Sequence, residues 1–478
     1  MEGRNLDLTR GGIWKQLILF FLPILAGSIF QQLYTTVDAV IIGQFAGKSG
    51  LAAIDSVHNL LKLPLNFFTG LSAGATILVS QLFGGKQLRR LTQVARTAIA
   101  FSFAGGVLLS ILGIVFAPAC LDLLEVPQDI YSQTLSYVRI YFFGLSVSLL
   151  YNLGAGILRA VGNSRTPFSI LLLSCSLNLV LDLFFVGFLR LGASGAAATT
   201  VLSQTVSALL ILYVLIKSSD QLRIRDHAQT PDPRTAPAFD PSLSQKRGSL
   251  LRLFPFRIHR ESLLSILRLG IPLGLQSSFY PIANMMIQTS INATGTDSIA
   301  AWALCGKLDF LIWLSTDALA AAISTFAAQN YGAKHYRRIQ KGVASGLFIT
   351  SGIVALLSIL LYLFSGTIGK LFLHPADHDI LPLVVSMMHF LAPFYLLYVF
   401  GEILSGAIRG TGETFLPMLV SLLGTCAARI LWILFVVPGH PSILVILGSY
   451  PVSWFLTALL FSIYYLYIRR TRLLPSRK

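Results

Sequence analysis

The sequence predicts an all-α polytopic membrane protein of twelve transmembrane helices, laid out as two parallel six-helix repeats. Three observations carry this expectation. The 478 residues are 54% apolar and only 12% charged, with a mean hydropathy of +0.72, whereas soluble globular chains carry about 25% charged residues. Long apolar stretches, each sufficient for the roughly 20 residues that cross a bilayer, flank a single long polar segment. Motifs of the first half also recur, in order, in the second. The first observation alone excludes a water-soluble multidomain enzyme as the default class.

The opening MEGRNLDLTRGGIWKQ is polar and runs into an apolar stretch without a small-residue cleavage site, so the first span is expected to be retained. Spans fall near 15–43, 51–82, 92–118, 134–158, 166–188 and 193–216, and again near 264–292, 298–328, 340–369, 382–408, 415–437 and 442–468. They give a six-helix lobe over 1–216, a basic linker over 217–263 and a second six-helix lobe over 264–478. The linker centres on the run PDPRTAPAFDP and is too poor in apolar residues to fold alone. Its end, LLRLFPFRIHRESLL, mixes Arg with Leu and Phe, as a segment lying on a membrane surface does. Cys175, Cys305 and Cys426 sit in apolar runs without pairing or ligand spacing, so no disulfide framework or zinc site follows.

The excess of 36 Lys and Arg over 20 Asp and Glu reports topology. With both termini inside, 29 basic residues fall on the inner side, and only Lys48, Arg139, Arg190 and Lys370 fall outside. Cytoplasmic segments are the ones enriched in Lys and Arg, so the expectation is a multi-pass plasma-membrane protein with cytoplasmic termini and a cytoplasmic linker.

Gln81-Leu-Phe-Gly-Gly-Lys-Gln-Leu-Arg-Arg90 recurs 248 residues later as Gln329-Asn-Tyr-Gly-Ala-Lys-His-Tyr-Arg-Arg338. The stretch from Gly156 to Pro167 recurs 250 residues on, from Gly406 to Pro417, and Pro23 matches Pro272. An even number of spans per half brings the second repeat in from the same face, so the repeats are parallel. Two such bundles suit a secondary transporter that rocks about a central cavity.

The stretch LPILAGSIFQQLYTTVDAVIIGQF, the loops QLFGGKQLRR and QNYGAKHYRR, and the turns LRAVGNSRTP and IRGTGETFLP together resemble the multidrug and toxic-compound extrusion (MATE) family of the MOP flippase superfamily. The likeness runs from about Trp14 to Arg470 and is interrupted by the linker, which is longer than the family leads one to expect. The resemblance implies a monomeric antiporter that exports small organic, often cationic and amphipathic compounds against Na⁺ or H⁺ entry. Its partners are substrates and the bilayer rather than nucleic acid. No cofactor is implied beyond the coupling ion, and no metal beyond Na⁺.

Ionisable residues near a bilayer centre cost about 2.5–3.5 kcal/mol on insertion scales, so each asks for a partner or a role. Asp38 in span 1 and Asp182 in span 5 both lie about 8–9 Å below the outer face at 1.5 Å per residue. Asn178 shares a helix face with Asp182, and Thr200 of span 6 reaches the same level. These hard oxygen ligands suit Na⁺ or a shared proton, although they would also serve as a polar hydrogen-bond network. The family resemblance implies an ion-coupling role for Asp38, Asn178, Asp182 and Thr200, and a span-1 bend at Pro23. Tyr280 stands where another branch of the family carries a span-7 glutamate.

In the second half, Lys307, Asp309, Asp317, Glu402 and Arg429 fall within spans. An ion pair between Asp309 and Arg429 is expected, with substrate contact as the other reading. Glu402 would attract a cationic substrate or meet an inner-side Arg. Two hydrolase-like patterns, Gly70-Leu-Ser-Ala-Gly74 and Gly192-Ala-Ser-Gly195, lack the strand-turn-helix context and a paired base. An intramembrane serine hydrolase is therefore disfavoured, His389 having no evident pairing with Ser194. The other competing function is a flippase of lipid-linked oligosaccharides from the same superfamily. Twelve spans and few membrane arginines favour the MATE reading.

Overall fold

The computed structural model describes residues 6–228, 258–373, 379–440 and 442–473. The structure is helical throughout, with no strand among the described residues. The first half contains α1 (Ile13–Phe45), α2 (Gly47–Asp55), α3 (His58–Gly84), α4 (Leu88–Leu123), α5 (Gln128–Ala160), α6 (Arg165–Asp182) and α7 (Gly192–Ala228). The second contains α8 (Arg260–Asn292), α9 (Thr296–Leu308), α10 (Phe310–Gly332), α11 (Tyr336–Lys370), α12 (Leu381–Leu391), α13 (Tyr395–Gly410), α14 (Phe415–Ser421), α15 (Ala428–Phe435), α16 (Ile443–Leu447) and α17 (Ser449–Thr471).

Among the described residues, eleven helical stretches are long and apolar enough to cross a membrane. The twelfth long stretch, α8, has 33 residues but carries Gln276, Ser277, Ser278, Asn284 and Gln288, which lower its hydropathy. Lipid-facing stripes are plain on several helices. Leu108, Ile111, Val115 and Phe116 line one side of α4 with 56–64% of their surface exposed, at the three- and four-residue spacing of a helix face. Exposure on this scale is tolerated only against hydrocarbon.

Three predicted spans differ from expectation by being broken, span 12 at Gly448 between α16 and α17. Span 2 is α2 followed by α3, interrupted at Ser56–Val57, and span 8 is α9 followed by α10, interrupted at Asp309. The linker also starts later than predicted, because α7 continues to Ala228. Most of the linker reading, with the first part of the surface segment, falls on residues 229–257, outside the described residues, while the last part of that segment opens α8 from Arg260.

The repeat is visible in the backbone. Gly47 and Gly295, Lys86 and Lys334, and Gly162 and Gly412 all adopt positive φ, and the members of each pair lie 248 or 250 residues apart. At Lys86 and Lys334 the same helix-ending turn recurs. Lys86 N–H donates to Phe83 and Gln87 N–H to Leu82, while Lys334 N–H donates to Tyr331 and His335 N–H to Asn330. This is the pattern that satisfies the last carbonyls of a helix through a left-handed residue.

The chain divides into two compact units, one of residues 1–6 and 30–271, the other of residues 7–29 and 272–478. The changeovers lie inside α1 and α8, so the leading half of each belongs with the other repeat. In the first unit, α8 meets α3 backbone to backbone: a Cβ on Gly74 would fall 2.5 Å from Gly270 Cα. Small residues thus pack helices closely here, which accounts for the hydrolase-like spacing at Gly70–Gly74. In the second unit, the loop motif grips the segment before α1. Leu8, fully buried, donates its N–H to Gln329 Oε1 at 3.2 Å and accepts from Asn330 Nδ2 at 3.1 Å. Arg338 donates to the carbonyls of Leu8, Arg10 and Gly11 and to Gln16 Oε1, at 2.7–3.2 Å. On the same pattern, His259 N–H reaches Thr97 Oγ1 in the first unit.

The helices α1 and α8 run without interruption through Pro23 and through Pro272 and Pro281. Each proline lacks the N–H that would reach the carbonyl four residues back, which leaves α1 one hydrogen bond short between Leu19 and Pro23.

Candidate functional site

In the first unit the structure brings Asp38, Asn178 and Asp182 together with the Thr199–Thr200 pair. The carboxyl groups of Asp38 and Asp182 are near neighbours. Asn178 and Asp182 are each 1% exposed, and Asp38 is half-buried. Thr199 Oγ1 donates to Asp182 Oδ1. Thr200, the hydroxyl singled out by depth, instead donates to the carbonyl of Ala196 at 2.9 Å and meets the phenol of Tyr34. Rise along a helix fixes depth, whereas direction turns by about 100° per residue at 3.6 residues per turn, and depth alone could not separate Thr199 from Thr200. Tyr34 lies one turn before Asp38 on the same face, the signal by which it could have been found.

The site is short of partners. Asp38 Oδ1, Asp182 Oδ2 and both amide atoms of Asn178 are buried without a hydrogen bond. No Lys or Arg pairs with either carboxylate among the described residues. Leaving one buried polar atom unsatisfied costs about 1–3 kcal/mol. Two carboxylates at this range must share one proton or one cation. The local backbone contributes too, since α6 ends at Asp182 and widens into a π-type turn over Leu183–Phe188, a feature that recurs at functional sites.

The second unit is arranged differently. Asp309 occupies the break between α9 and α10, is 3% exposed, and accepts a hydrogen bond from Tyr395 Oη at 2.7 Å. Arg429 is fully buried. Its Nε donates to Ser453 Oγ at 3.1 Å and its Nη1 to Asn284 Oδ1 at 2.8 Å. The guanidinium also lies over the Tyr450 ring at 4.4 Å and the Tyr280 ring at 5.4 Å. The expected Asp309–Arg429 ion pair is therefore not formed. Aromatic side chains lie between the two residues, and each is satisfied by a different neighbour. Lys307 is exposed and stands outside any network with Asp309, as its two-residue offset on a helix requires.

Between these charges lies an aromatic column. Tyr450 packs on Trp454 at 5.6 Å, Trp454 on Tyr395 at 5.5 Å and on Tyr398 at 6.1 Å, and Tyr398 on Trp313 at 4.6 Å. Tyr398 Oη donates to Asp317 Oδ1 at 3.0 Å. Glu402, one turn beyond Tyr398, pairs with Arg409 at 3.6 Å. Asp317 is exposed in the middle of α10, and a carboxylate there requires an aqueous opening rather than hydrocarbon. His389 is engaged elsewhere: it stacks on Tyr362 at 4.1 Å, with Nε2 2.7 Å from the Tyr362 carbonyl oxygen.

Twelve long helical stretches among the described residues and a duplicated six-helix plan define a multi-pass membrane protein. The sequence model of the MatE family matches residues 23–184 and again 272–434, and the chain belongs to that family, once in each repeat. A probable multidrug resistance protein, YoeA of Bacillus subtilis, is 28% identical over 96% of this chain and 95% of its own. The probable multidrug resistance protein NorM of Thermotoga maritima is 22% identical over 87% and 84%. Among solved structures, an outward-facing MATE transporter of the MOP superfamily superposes with TM-score 0.86 at 21% identity over 100% of both chains. A MOP superfamily transporter from Pyrococcus furiosus gives 0.83 at 20% identity over 99% of this chain and 98% of its own. At these identities the structural likeness bears on the fold.

Proposed function

We propose that this protein is a secondary antiporter of the cell membrane that exports organic, often cationic and amphipathic compounds, driven by Na⁺ or H⁺ entry through alternating access. Both termini are assigned to the cytoplasm. The carrying observation is the Asp38–Asp182 pair, buried with unpartnered oxygens and without a counter-cation among the described residues. The names of the relatives, multidrug resistance proteins, support the substrate class.

Asp38 and Asp182 hold the ion, Asn178 supplies a further oxygen, and Thr199 orients the Asp182 acceptor. When the ion leaves, the two carboxylates repel; unit charges about 4 Å apart in surroundings of effective dielectric near 20 do so by about 4 kcal/mol. That is enough to shift a two-state equilibrium by about a thousandfold. Asp38 is carried by α1, whose hydrogen-bond ladder is already interrupted at Pro23, so α1 is the element that yields. Substrate cations are drawn by Asp317 and Glu402 beside the aromatic column of the second unit.

Efflux of a fluorescent cation from everted vesicles, energised by a Na⁺ gradient alone or a pH gradient alone, tests the reading and identifies the ion. One gradient should drive transport, and Asp38→Asn or Asp182→Asn should abolish it while leaving protein in the membrane at wild-type amounts. Normal gradient-driven efflux by either variant would remove the coupling role from the first unit.

A further inference from the structure

Arg429 is a buried cation in a protein proposed to export cations, and nothing in the ion-coupling mechanism uses it. Its guanidinium is fully buried, and no carboxylate lies within ion-pairing distance among the described residues. Its contacts are neutral: an amide oxygen, a hydroxyl and two ring faces. Cation–π contact offsets part of the desolvation when dry, roughly 2 kcal/mol, but a charge deprived of water still calls for an opposite charge.

Three further observations point to what is missing. Arg429 Nη2 has no hydrogen-bond acceptor, and neither has Trp454 Nε1. Ser449 Oγ, one turn before Ser453 on α17, is buried and unpartnered as well. Guanidinium and indole N–H groups can only donate, so the residues of two unpaired donors, Arg429 and Trp454, both touch the Tyr450 ring, and the residue that carries the free hydroxyl precedes Tyr450 on α17. The backbone before Arg429 is also irregular, with a π-type turn over Leu422–Ala427 between α14 and α15. Such turns shift the register of the following side chains and recur at functional sites. At the far end of the same column stand Asp317 and Glu402.

We infer that Arg429, with Trp454 and Ser449, forms an anion-accepting subsite for the carboxylate of a substrate, so that the second unit takes aromatic zwitterions in preference to simple cations. The rings lie along the column, the cationic group is held towards Asp317 and Glu402, and the carboxylate replaces Asn284 on the planar guanidinium fork, which suits bidentate recognition. Tyr280 and Asn284, both half-buried on α8, are the side chains that yield to admit it. This inference rests on the proposed export of organic compounds and narrows their class.

The test uses two dyes that differ only in the anion. Rhodamine 110 carries a free benzoate beside its cationic rings, and rhodamine 123 is its methyl ester. Binding of each to the purified full-length protein in lipid nanodiscs, without an ion gradient, is followed by fluorescence anisotropy. Wild type should bind rhodamine 110 at least about tenfold more tightly, as one charge-assisted hydrogen bond at a dry site provides. Arg429→Gln should lose that preference while still binding rhodamine 123. Arg429→Lys, which keeps the charge if the Gln variant does not fold, should retain the preference at reduced size. Equal affinities in wild type, or an equal loss of both dyes in a folded variant, would overturn the subsite and leave the export reading standing. Failure of wild type to bind either dye would overturn both.

Discussion

The two halves share a backbone plan, down to left-handed residues at matching positions, yet they place their charges by different rules. The first half gathers two carboxylates, an amide and hydroxyls with few bonds among them, leaving oxygens that an ion can fill. The second half spaces its charges along a column of tilted and edge-on rings, with Arg429 at one end and Asp309, Asp317 and Glu402 further along. On the proposed function, the duplicated scaffold supports two kinds of site, one fitted to a small hard ion and one to an extended amphipathic molecule.

This division can be broken most severely at the acids. Asp182→Asn should reduce gradient-driven efflux to background, whereas Asp309→Asn should leave the ion requirement unchanged and alter only substrate affinity. Both are read by vesicle efflux under a single gradient. Loss of ion dependence in Asp309→Asn would reverse the roles of the halves.

The packing beneath the second site offers the next largest effect. A Cβ on Gly410 would fall 2.6 Å from the Ser324 carbonyl oxygen, so Gly410→Val must force α13 away from α10, at a cost of about 1–3 kcal/mol for overpacking. Thermal unfolding in detergent should show the loss, with the ion dependence of the remaining folded protein intact.

A smaller and more discriminating effect is expected at the threonines. Thr199→Val removes the donor to Asp182 and should cost about 1–3 kcal/mol in the ion-free site, as for a hydrogen bond to a charged group. It should also displace the ion dependence of efflux. Thr200→Val removes a bond to its own helix and should do less. Equal effects would mean that depth, rather than direction, governs the site.

The smallest effect concerns Asp309 and Arg429. With no hydrogen-bond partner in common, Asp309→Ala and Arg429→Ala should be additive in stability to within about 0.3–0.5 kcal/mol. A larger coupling would restore the ion pair that the sequence suggested.

Span placement, the duplication and the grouping of Asp38 with Asn178 and Asp182 were legible in the sequence. They depend on hydropathy, on repeated Gly-and-Arg turns and on helical spacing, all of which are local. The breaks at Ser56–Val57 and Asp309 were not, because neither carries the Gly or Pro that marks an interruption. Nor was the partner of Arg429. Rise per residue gives a depth to each charge, but which of several side chains at that depth lies across the way depends on helix rotation and on rings drawn from four helices. The exchange of the leading halves of α1 and α8 between units was equally hidden, since both are continuous helices through their prolines.

The central claim, that the first half holds the coupling ion and that ion and substrate oppose one another, is tested most directly by ligand release. Purified protein loaded with a fluorescent cation is given Na⁺ at constant pH, or acid at constant Na⁺, and the dye affinity is measured. Wild type should release the dye with one of the two ions, and the bound dye should weaken that ion to the same factor. Asp38→Asn and Asp182→Asn should bind dye and show no response. An undiminished ion response in both variants would contradict the claim.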